Sequence, residues 1–200
     1  VDAKALLVRS VTQVNPALIN NTTLQYVGSA TIGTDHLDIE AIEKQNIQWA
    51  NAAGCNAQAV AEYVITALLH LNPALLNAEE SFTLGIIGLG NVGSRLAYMA
   101  KLLGWNVIGH DPFVQQDTIQ QVDFNTLLST ADAISLHVPL NESTKGLIGK
   151  DEIALMKPDA VLINTARGPV VDSEALAEAL NNGKIAGAAV DVFENEPPVS

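Results

Sequence analysis

Basic residues are scarce in this 200-residue sequence, and the shortage bears on the partners that the protein can bind. The chain has 10 lysines and arginines against 22 aspartates and glutamates, so its formal net charge is −12. A surface of this sign repels the phosphates of nucleic acids and the anionic headgroups of membranes. We therefore expect neither nucleic acid nor a membrane as a partner.

Cysteine and long apolar runs are also nearly absent. Cys55 is the only cysteine and cannot form an intrachain disulfide, and the chain does not open with a basic segment followed by an apolar one. We expect a reducing, cytoplasmic location. The longest nearly apolar stretch, residues 57–71, is interrupted by Gln58, Glu62 and His70 and is too short to span a bilayer. The sequence therefore predicts no transmembrane helix.

Short apolar runs alternate with longer amphipathic segments, which is typical of a parallel sheet covered by helices. In the first quarter, strands over 5–10, 24–30 and 47–53 and a helix over 36–45, capped by Asp35, predict a small open α/β unit. The rest of the chain predicts a doubly wound parallel sheet of the Rossmann type. Its predicted strands are 83–88, 106–111, 133–139, 160–166 and 186–193, and its predicted helices are 56–71, one ending near 103, 124–129 and 173–182.

A glycine-rich segment between an apolar strand and an amphipathic helix matches the pattern G-x-G-x-x-G, with the sequence Gly88-Leu89-Gly90-Asn91-Val92-Gly93. In a dinucleotide-binding turn, Gly88 permits the sharp bend, Gly90 leaves room for the pyrophosphate, and Gly93 lets the helix pack on the strand. The helix N-terminus then offers N–H groups and the positive end of its dipole to the phosphates. A turn that serves packing alone is the alternative.

Asp111 favours the dinucleotide interpretation. It lies 18 residues after Gly93, at the predicted end of the next strand, where a carboxylate can accept both ribose hydroxyls of the adenosine. The same charge repels a 2′-phosphate, and residues 112–116 contain no arginine or lysine to neutralise one. We therefore predict NAD as the cofactor in preference to NADP.

Arg167 follows the apolar run 160–166 and is predicted at the same edge of the sheet as the glycine turn, where ligands of doubly wound sheets bind. Its guanidinium can hold a substrate carboxylate through two hydrogen bonds and polarise a neighbouring carbonyl group. A surface ion pair or a helix cap is the alternative. Glu196 follows the last predicted strand and can hold an imidazole in one tautomer. All four histidines of the chain precede Glu196, and none is predicted to face it.

Five motifs in this order and spacing resemble those of the D-2-hydroxyacid dehydrogenase family, namely GLGNVG, Asp111, LHVPL, NTARGPVVD and DVFENEP. The resemblance covers the whole chain and implies an NAD-dependent enzyme that oxidises a 2-hydroxy acid by hydride transfer. It implies a partial, flavodoxin-like substrate-binding domain over 1–57 and a Rossmann NAD-binding domain over 58–200 that is truncated at its C-terminal end. It also implies that the catalytic histidine lies beyond Ser200 and that the complete protein is a homodimer.

The resemblance also implies roles for single residues. Arg167 and Glu196 take the roles of the catalytic arginine and acid. Ser10 and Thr31 match positions that contact substrate, and the backbone of Ile32 and Gly33 matches the loop that receives the substrate carboxylate. No metal site is expected. The implied contacts to the cofactor come from Gly88, Gly90, Asn91, Val92, Gly93, Asp111, Thr165, Ala166 and Asp191.

Within the family, three segments are most similar to the branch that oxidises 4-phosphoerythronate in vitamin B6 (pyridoxal phosphate) biosynthesis: LLVRSVTQVN, ATIGTDHLD and AAGCNAQAVAEYV. Phosphoglycerate dehydrogenases and other D-2-hydroxyacid dehydrogenases carry similar segments and are the first alternative. A non-catalytic protein that senses NAD(H) and a methyltransferase that binds S-adenosylmethionine are alternatives of other classes. Gly93 and the NTARG segment argue against the methyltransferase.

Overall fold

The computed structural model describes residues 2–76 and 81–194 and divides the chain between Asn56 and Ala57 into two compact units. Both units are built from strands and helices, and every strand pair in the described residues is parallel. This confirms the fold class that the alternation of apolar runs and amphipathic segments predicts. Within the described ranges, no helix has the length and apolar character needed to cross a membrane.

The first unit contains a three-stranded sheet made of β1 (Ala5–Val8), β2 (Tyr26–Ser29) and β3 (Gln48–Asn51), in that order. Two short helices, α1 (Pro16–Ile19) and α2 (Ile39–Lys44), lie between the strands in the chain. Burial of the apolar faces of these elements stabilises the unit. Its core consists of Val8, Val14, Ile19, Val27, Leu37, Ile42 and Ile47.

The prediction that Asp35 caps the helix after β2 is wrong. Asp38 is the N-cap of α2, and its side chain accepts a hydrogen bond of 2.9 Å from Ala41 N. The residues before it form a turn in which Leu37 N donates to Thr34 O. The helix therefore begins later than the apolar pattern suggests, because the chain turns first.

The second unit contains a six-stranded sheet and five α-helices in its described residues. The strands are β4 (Thr83–Ile87), β5 (Asn106–His110), β6 (Gln120–Gln121), β7 (Ala133–Leu136), β8 (Val161–Asn164) and β9 (Gly187–Val190). The helices are α3 (Ala57–Leu71), α4 (Asn91–Leu102), α5 (Phe124–Thr130), α6 (Lys150–Leu155) and α7 (Ser173–Asn181). The strand order β6-β5-β4-β7-β8-β9 is that of a doubly wound sheet, with its switch point between β4 and β7.

Helices cover both faces of this sheet, so its central strands are buried on both sides. All four residues of β7 and of β8 are buried, as are four of the five residues of β4. One face packs against α3 and α4 through Val64, Leu68 and Leu96, and the other packs against the helices α5, α6 and α7. Strands buried on two faces have continuous apolar sequences, which is why these three were predictable.

The prediction of five strands in this unit is wrong by one. The sixth strand, β6, contains two glutamines, and two polar residues carry no apolar alternation. Helices α1 and α6 were also not predicted, because one or two helical turns give too short a period to recognise. The predicted strands are longer than the observed ones. For example, the predicted strand 24–30 includes loop residues on both sides of β2.

Gly85 lies in the middle of β4 under α5, and its lack of a side chain is a packing requirement. A Cβ at this position would lie 2.8 Å from Leu127 Cδ2 and 2.9 Å from Ala131 Cβ. We expect Gly85→Ala to lower the free energy of unfolding by about 1–3 kcal/mol because it overpacks this layer. Urea unfolding followed by circular dichroism measures the change.

Gly187→Ala in β9 is the matched control, because the nearest atom to a Cβ there is Leu71 Cδ2 at 3.8 Å. We expect this variant to keep or slightly increase the stability, since alanine restricts the unfolded chain. Equal urea midpoints for the two variants would contradict the packing argument.

Candidate functional site

The carboxyl ends of neighbouring strands bring most of the predicted cofactor-binding residues to one edge of the six-stranded sheet. The register pairs Ile87 with His110 and with Leu136, and Leu136 with Asn164. Because the strands are parallel and in register, the residues that follow them lie side by side at this edge. They are Gly88 after β4, Asp111 after β5, His137 after β7, Thr165 after β8 and Asp191 after β9.

Two close contacts tighten the glycine turn that joins β4 to α4. Gly88 has a φ of +93°, and a Cβ on it would lie 2.6 Å from His137 O. A Cβ on Gly93 would overlap Gly88 O, so α4 passes directly against the turn. At Gly90, by contrast, no described atom lies within 4 Å of where a Cβ would stand. Since Gly90 is also the N-cap of α4 and has no side chain to cap it, the helix N-terminus is accessible to a ligand.

A surface groove lies beside this turn. The groove is formed by the turn, by the first turns of α4 and by the loop after β5. A second hollow lies at the opposite, amino edge of the sheet, near Thr83 and Asn106, and none of the predicted site residues lines it. The residues that line the groove are Leu89, Gly90, Asn91, Ser94, Arg95, Tyr98, Val114 and Gln116.

Asp111 joins the end of β5 to the glycine turn. Its carboxylate accepts hydrogen bonds from Leu89 N at 2.8 Å, Phe113 N at 2.9 Å and Val114 N at 3.0 Å. Burial alone would raise the pKa of this carboxyl, but the three N–H donors and the neighbouring His110 lower the pKa below its ordinary value. Asp111 is therefore ionised at neutral pH. A carboxylate can accept about four hydrogen bonds, so three internal ones leave capacity for a ligand hydroxyl.

Gln116 and Ser94 hold the loop after β5 against the same turn, a role that the sequence does not indicate. Gln116 Nε2 donates to Ser94 Oγ at 2.6 Å and to Leu89 O at 3.2 Å. Ser94 Oγ also donates to Leu89 O at 2.7 Å. These bonds fix the wall of the groove opposite α4. No motif contains Gln116, so no sequence signal could have singled it out.

The turn after β8 is shaped by Asn164, which is buried and was also not predicted. Its Nδ2 donates to Arg167 O at 2.9 Å, and its Oδ1 accepts from Ala166 N at 3.0 Å. Between them, the buried Thr165 Oγ1 has no hydrogen-bond partner among the described residues. An unsatisfied buried hydroxyl costs about 1–3 kcal/mol, and a ligand group that bonds to it removes that cost. Thr165 therefore marks a place where a polar ligand fits.

Arg167 is half-buried in this turn, and its Nη1 donates to Ala166 O at 2.7 Å. The next residue, Gly168, lies so close to the segment after β9 that a Cβ would overlap the backbone of Phe193 and Glu194. Asp191 N also donates to Asn164 O at 3.0 Å, which aligns this segment with the turn. The Asp191 side chain is exposed.

Glu196, the predicted catalytic acid, lies outside the described residues. The structure therefore gives no position for its carboxylate relative to the turn after β8. Among the residues that are described, no group of three or more histidine, cysteine, aspartate or glutamate side chains could hold a metal ion.

His137 follows β7 at the switch point and contributes its main chain and its ring to the base of the site. Its N–H donates to Ile87 O at 2.8 Å, and its Nε2 lies 2.9 Å from Ser135 Oγ, which is fully buried. Burial lowers the pKa of His137 to about 4. The imidazole is therefore neutral at physiological pH and supports the turn as an uncharged side chain.

In the first unit, the four predicted substrate-binding residues lie at the carboxyl edge of the three-stranded sheet. Val8 pairs with Ser29 at the ends of β1 and β2, and Ser10 follows two residues after Val8. Ser10 is exposed. The loop after β2 carries the half-buried residues Thr31, Ile32 and Gly33.

Comparison with known proteins relates the chain to one enzyme family. The family profile described as "D-isomer specific 2-hydroxyacid dehydrogenase, NAD binding domain" matches residues 72–200. The erythronate-4-phosphate dehydrogenase of Acinetobacter baumannii is 63% identical over 203 residues, and the alignment covers 100% of this chain and 57% of that protein. The chain thus spans little more than half the length of the curated relatives that it matches.

Two solved structures illustrate the similarity of the fold. A D-lactate dehydrogenase from Aquifex aeolicus, complexed with NAD and lactic acid, is 30% identical with a TM-score of 0.85, covering 97% of this chain and 66% of that chain. An acyclic imino acid reductase in complex with NADPH and D-Arg is also 30% identical, with a TM-score of 0.88, covering 98% of this chain and 71% of that chain.

The low pKa of His137 predicts a pH dependence of stability. The unfolded chain takes up a proton on this residue near pH 6.5, whereas the folded chain does so only near pH 4. The free energy of unfolding therefore falls as the pH drops from 6.5 to 4, with a contribution from this residue on the order of 3 kcal/mol. Denaturant unfolding at pH 7.0 and pH 4.5 measures the fall.

We expect His137→Gln, which cannot titrate, to lose much of this pH dependence. His70→Gln is the control, because His70 is exposed on α3. If His137→Gln loses stability as steeply as the wild type between these two pH values, the assignment to His137 is wrong.

Proposed function

Since this chain belongs to the D-isomer specific 2-hydroxyacid dehydrogenase family, as its match over residues 72–200 shows, we propose that it binds NAD at the carboxyl edge of the six-stranded sheet and serves the oxidation of a 2-hydroxy acid. The observation that carries the proposal is the alignment of three features at this edge. They are an open glycine turn at Gly90, an ionised carboxylate at Asp111 and a hydroxyl at Thr165 that has no hydrogen-bond partner in the described part of the chain.

The residues present fit a dinucleotide. The space over Gly90 and the accessible N-terminus of α4 suit a pyrophosphate, to which Asn91 and Val92 would offer N–H groups. Gly93 keeps the helix close enough to the turn for these groups to be in reach. Asp111 would accept the ribose hydroxyls of the adenosine with its remaining capacity.

The charge around Asp111 supports NAD over NADP. An ionised carboxylate at the ribose repels a 2′-phosphate, and residues 112–116 supply no cation to offset this repulsion. The similar imino acid reductase was solved with NADPH, so the fold itself accommodates either nucleotide. The preference therefore depends on the side chains at the end of β5.

The turn after β8 would hold the nicotinamide half of the cofactor. We assign contacts to Thr165, whose hydroxyl lacks an internal partner in the described residues, and to Ala166 and Asp191, with Asp191 at the carboxamide. When bound, the nicotinamide ring supplies the hydride acceptor. The protein contributes orientation and charge.

Arg167 is the residue that we propose for substrate activation. Its guanidinium can hold the carboxylate of a 2-hydroxy acid and polarise the neighbouring C2–O bond as the carbonyl forms. Glu196 would orient the histidine that removes the hydroxyl proton, and the family resemblance implies that this histidine follows Ser200. A general base of this kind contributes about 10²- to 10⁴-fold to the rate.

The substrate that we propose is 4-phosphoerythronate, which places the reaction in vitamin B6 biosynthesis. The support is the 63% identity to an erythronate-4-phosphate dehydrogenase over the full length of this chain. Ser10, Thr31 and the backbone of Ile32 and Gly33 would contact the substrate. We also propose that the complete protein is a cytoplasmic homodimer.

The cofactor proposal is tested by Asp111→Ala. We expect this variant to bind NADH about 10- to 100-fold more weakly, because hydrogen bonds between a charged group and the ribose hydroxyls are lost. The affinity for NADPH should change much less, so the ratio of the NADH affinity to the NADPH affinity should fall. Calorimetric titration of the 200-residue chain with each nucleotide measures both affinities.

Asp159→Ala is the control, because Asp159 is exposed near the amino end of β8, at the opposite edge of the sheet. Thermal unfolding of Asp111→Ala checks that the turn remains folded without its tie to Leu89. A wild-type chain that binds NADPH as tightly as NADH would show that the predicted preference is wrong.

The catalytic proposal is tested by Arg167→Gln and Arg167→Lys in the complete protein with 4-phosphoerythronate and NAD. We expect kcat/KM to fall by about 10²- to 10³-fold for glutamine, because the anchoring and polarising charge is lost. Lysine keeps the charge but not the paired geometry and should be intermediate. Formation of NADH is the measurement.

Lys150→Gln removes an exposed cation that is paired with Glu178 and should leave turnover unchanged. Parallel assays with 3-phosphoglycerate and D-lactate identify the substrate. An absence of turnover with every 2-hydroxy acid tested would refute the dehydrogenase proposal. If Arg167→Gln has the same kcat/KM as the wild type, only the role proposed for Arg167 is refuted.

A further inference from the structure

The loop after β2 in the first unit is held in place through its oxygen atoms. Thr31 O accepts a hydrogen bond from Ala52 N at 3.1 Å, and Ile32 O accepts one from Asn51 Nδ2 at 2.6 Å. In a planar trans peptide the N–H points opposite to the C=O. The N–H groups of Ile32 and Gly33 therefore point away from the end of β3, where the partners of the two carbonyl groups lie.

A chain of three side chains supports this loop from the inside. Thr31 Oγ1 donates to Gly33 O at 3.1 Å. Ser29 Oγ lies 2.7 Å from Thr31 Oγ1 and 2.9 Å from His36 Nε2. Ser29 and His36 are each only 5% exposed, so bulk water competes little for these bonds.

The number of available protons determines which group donates in each of these hydrogen bonds. A hydroxyl has one proton, and that of Thr31 is used on Gly33 O, so Ser29 must donate to Thr31. The proton of Ser29 is then used as well, so the contact with His36 requires a proton on Nε2. The bonds therefore run from His36 through Ser29 and Thr31 to Gly33 O, with the imidazole donating from Nε2.

We propose that His36, Ser29 and Asn51 are positioning residues that hold the N–H groups of Ile32 and Gly33 ready for a carboxylate. Successive backbone N–H groups with a common direction form an anion-binding concavity. The proposal rests on the proposed function, which supplies the ligand, a 2-hydroxy carboxylate. The three side chains bond to the loop and act on the ligand only through the orientation of its peptide groups.

Binding is tested by NMR on the ¹⁵N-labelled 200-residue chain with two matched probes. D-erythronate carries a carboxylate without a phosphate, and D-erythritol 4-phosphate carries a phosphate without a carboxylate. We expect D-erythronate to shift the amide signals of Ile32 and Gly33 and D-erythritol 4-phosphate to leave them unchanged. Shifts caused only by the phosphate compound, or by neither compound, would overturn the assignment of a carboxylate site.

The positioning role is tested by Ser29→Ala, which removes one oxygen from the middle of the chain. We expect the dissociation constant for D-erythronate to rise about fivefold, as for the loss of one hydrogen bond. The thermal midpoint should also fall, because a buried donor on His36 loses its acceptor, so binding is measured well below the midpoint of each variant. His36→Leu should have the same effect, whereas His36→Gln should restore binding to within about twofold, because its amide N–H can replace Nε2–H. His70→Leu on the exposed face of α3 is the matched control.

A direct observation needs no variant. The ¹⁵N spectrum of the wild-type imidazoles should show a proton on Nε2 of His36, and an Nε2 without a proton would overturn the direction of these hydrogen bonds. If the Ser29→Ala and His36→Leu variants bind D-erythronate as tightly as the wild type, the positioning role of Ser29 and His36 is overturned. Neither result depends on turnover. If the 200-residue chain shows all expected shifts and the complete protein forms no NADH, the proposed function is refuted and this inference stands.

Discussion

The arrangement of the carboxyl edge of the larger unit depends on the distance between α4 and the turn that precedes it. Gly93 lies so close to Gly88 O that a single added carbon atom would overlap this oxygen, and Gly88 itself has a backbone conformation that side chains disfavour. This contact sets the position of the helix N-terminus relative to the ends of β4, β5 and β7. Between these two crowded glycines, Gly90 has no described atom within 4 Å of where a Cβ would stand.

Both units fix the loops at the carboxyl edges of their sheets by the same physical means. Polar side chains bond to backbone atoms of the loop itself, as Asn164 does in the turn after β8 and Asn51 does in the loop after β2. The groups that are not used in these bonds, among them the Thr165 hydroxyl, are then presented in a defined direction. An arrangement of this kind lowers the cost of ordering a binding site when a ligand arrives.

The central strands and the glycine turn could be predicted because each has a local cause in the sequence. Burial on two faces produces continuous apolar runs in β4, β7 and β8, and the spacing of Gly88, Gly90 and Gly93 reflects steric requirements of one turn. The two-residue strand β6 leaves no such trace, and the assignment of the α2 cap to Asp35 failed because a turn intervenes.

The site could be predicted in part. Residues at the ends of parallel strands share an edge whatever their distance in the chain, so Asp111 and Thr165 could be expected together. The side chains that hold the loops could not be found, because their partners are backbone atoms that only the folded register brings near. Gln116 is an example, since its bond to Leu89 O joins two loops on different strands.

The three internal hydrogen bonds of Asp111 have a consequence for the evolution of this fold. A lineage that changes to the phosphorylated nucleotide has to remove the negative charge, yet the same carboxylate ties two loops together. Under the proposed role of Asp111, exchange of this single side chain alters both the choice of nucleotide and the order of the loops that its carboxylate joins. A neutral side chain that keeps an acceptor oxygen at this position, such as asparagine, would remove the charge while it retains part of this hydrogen bonding.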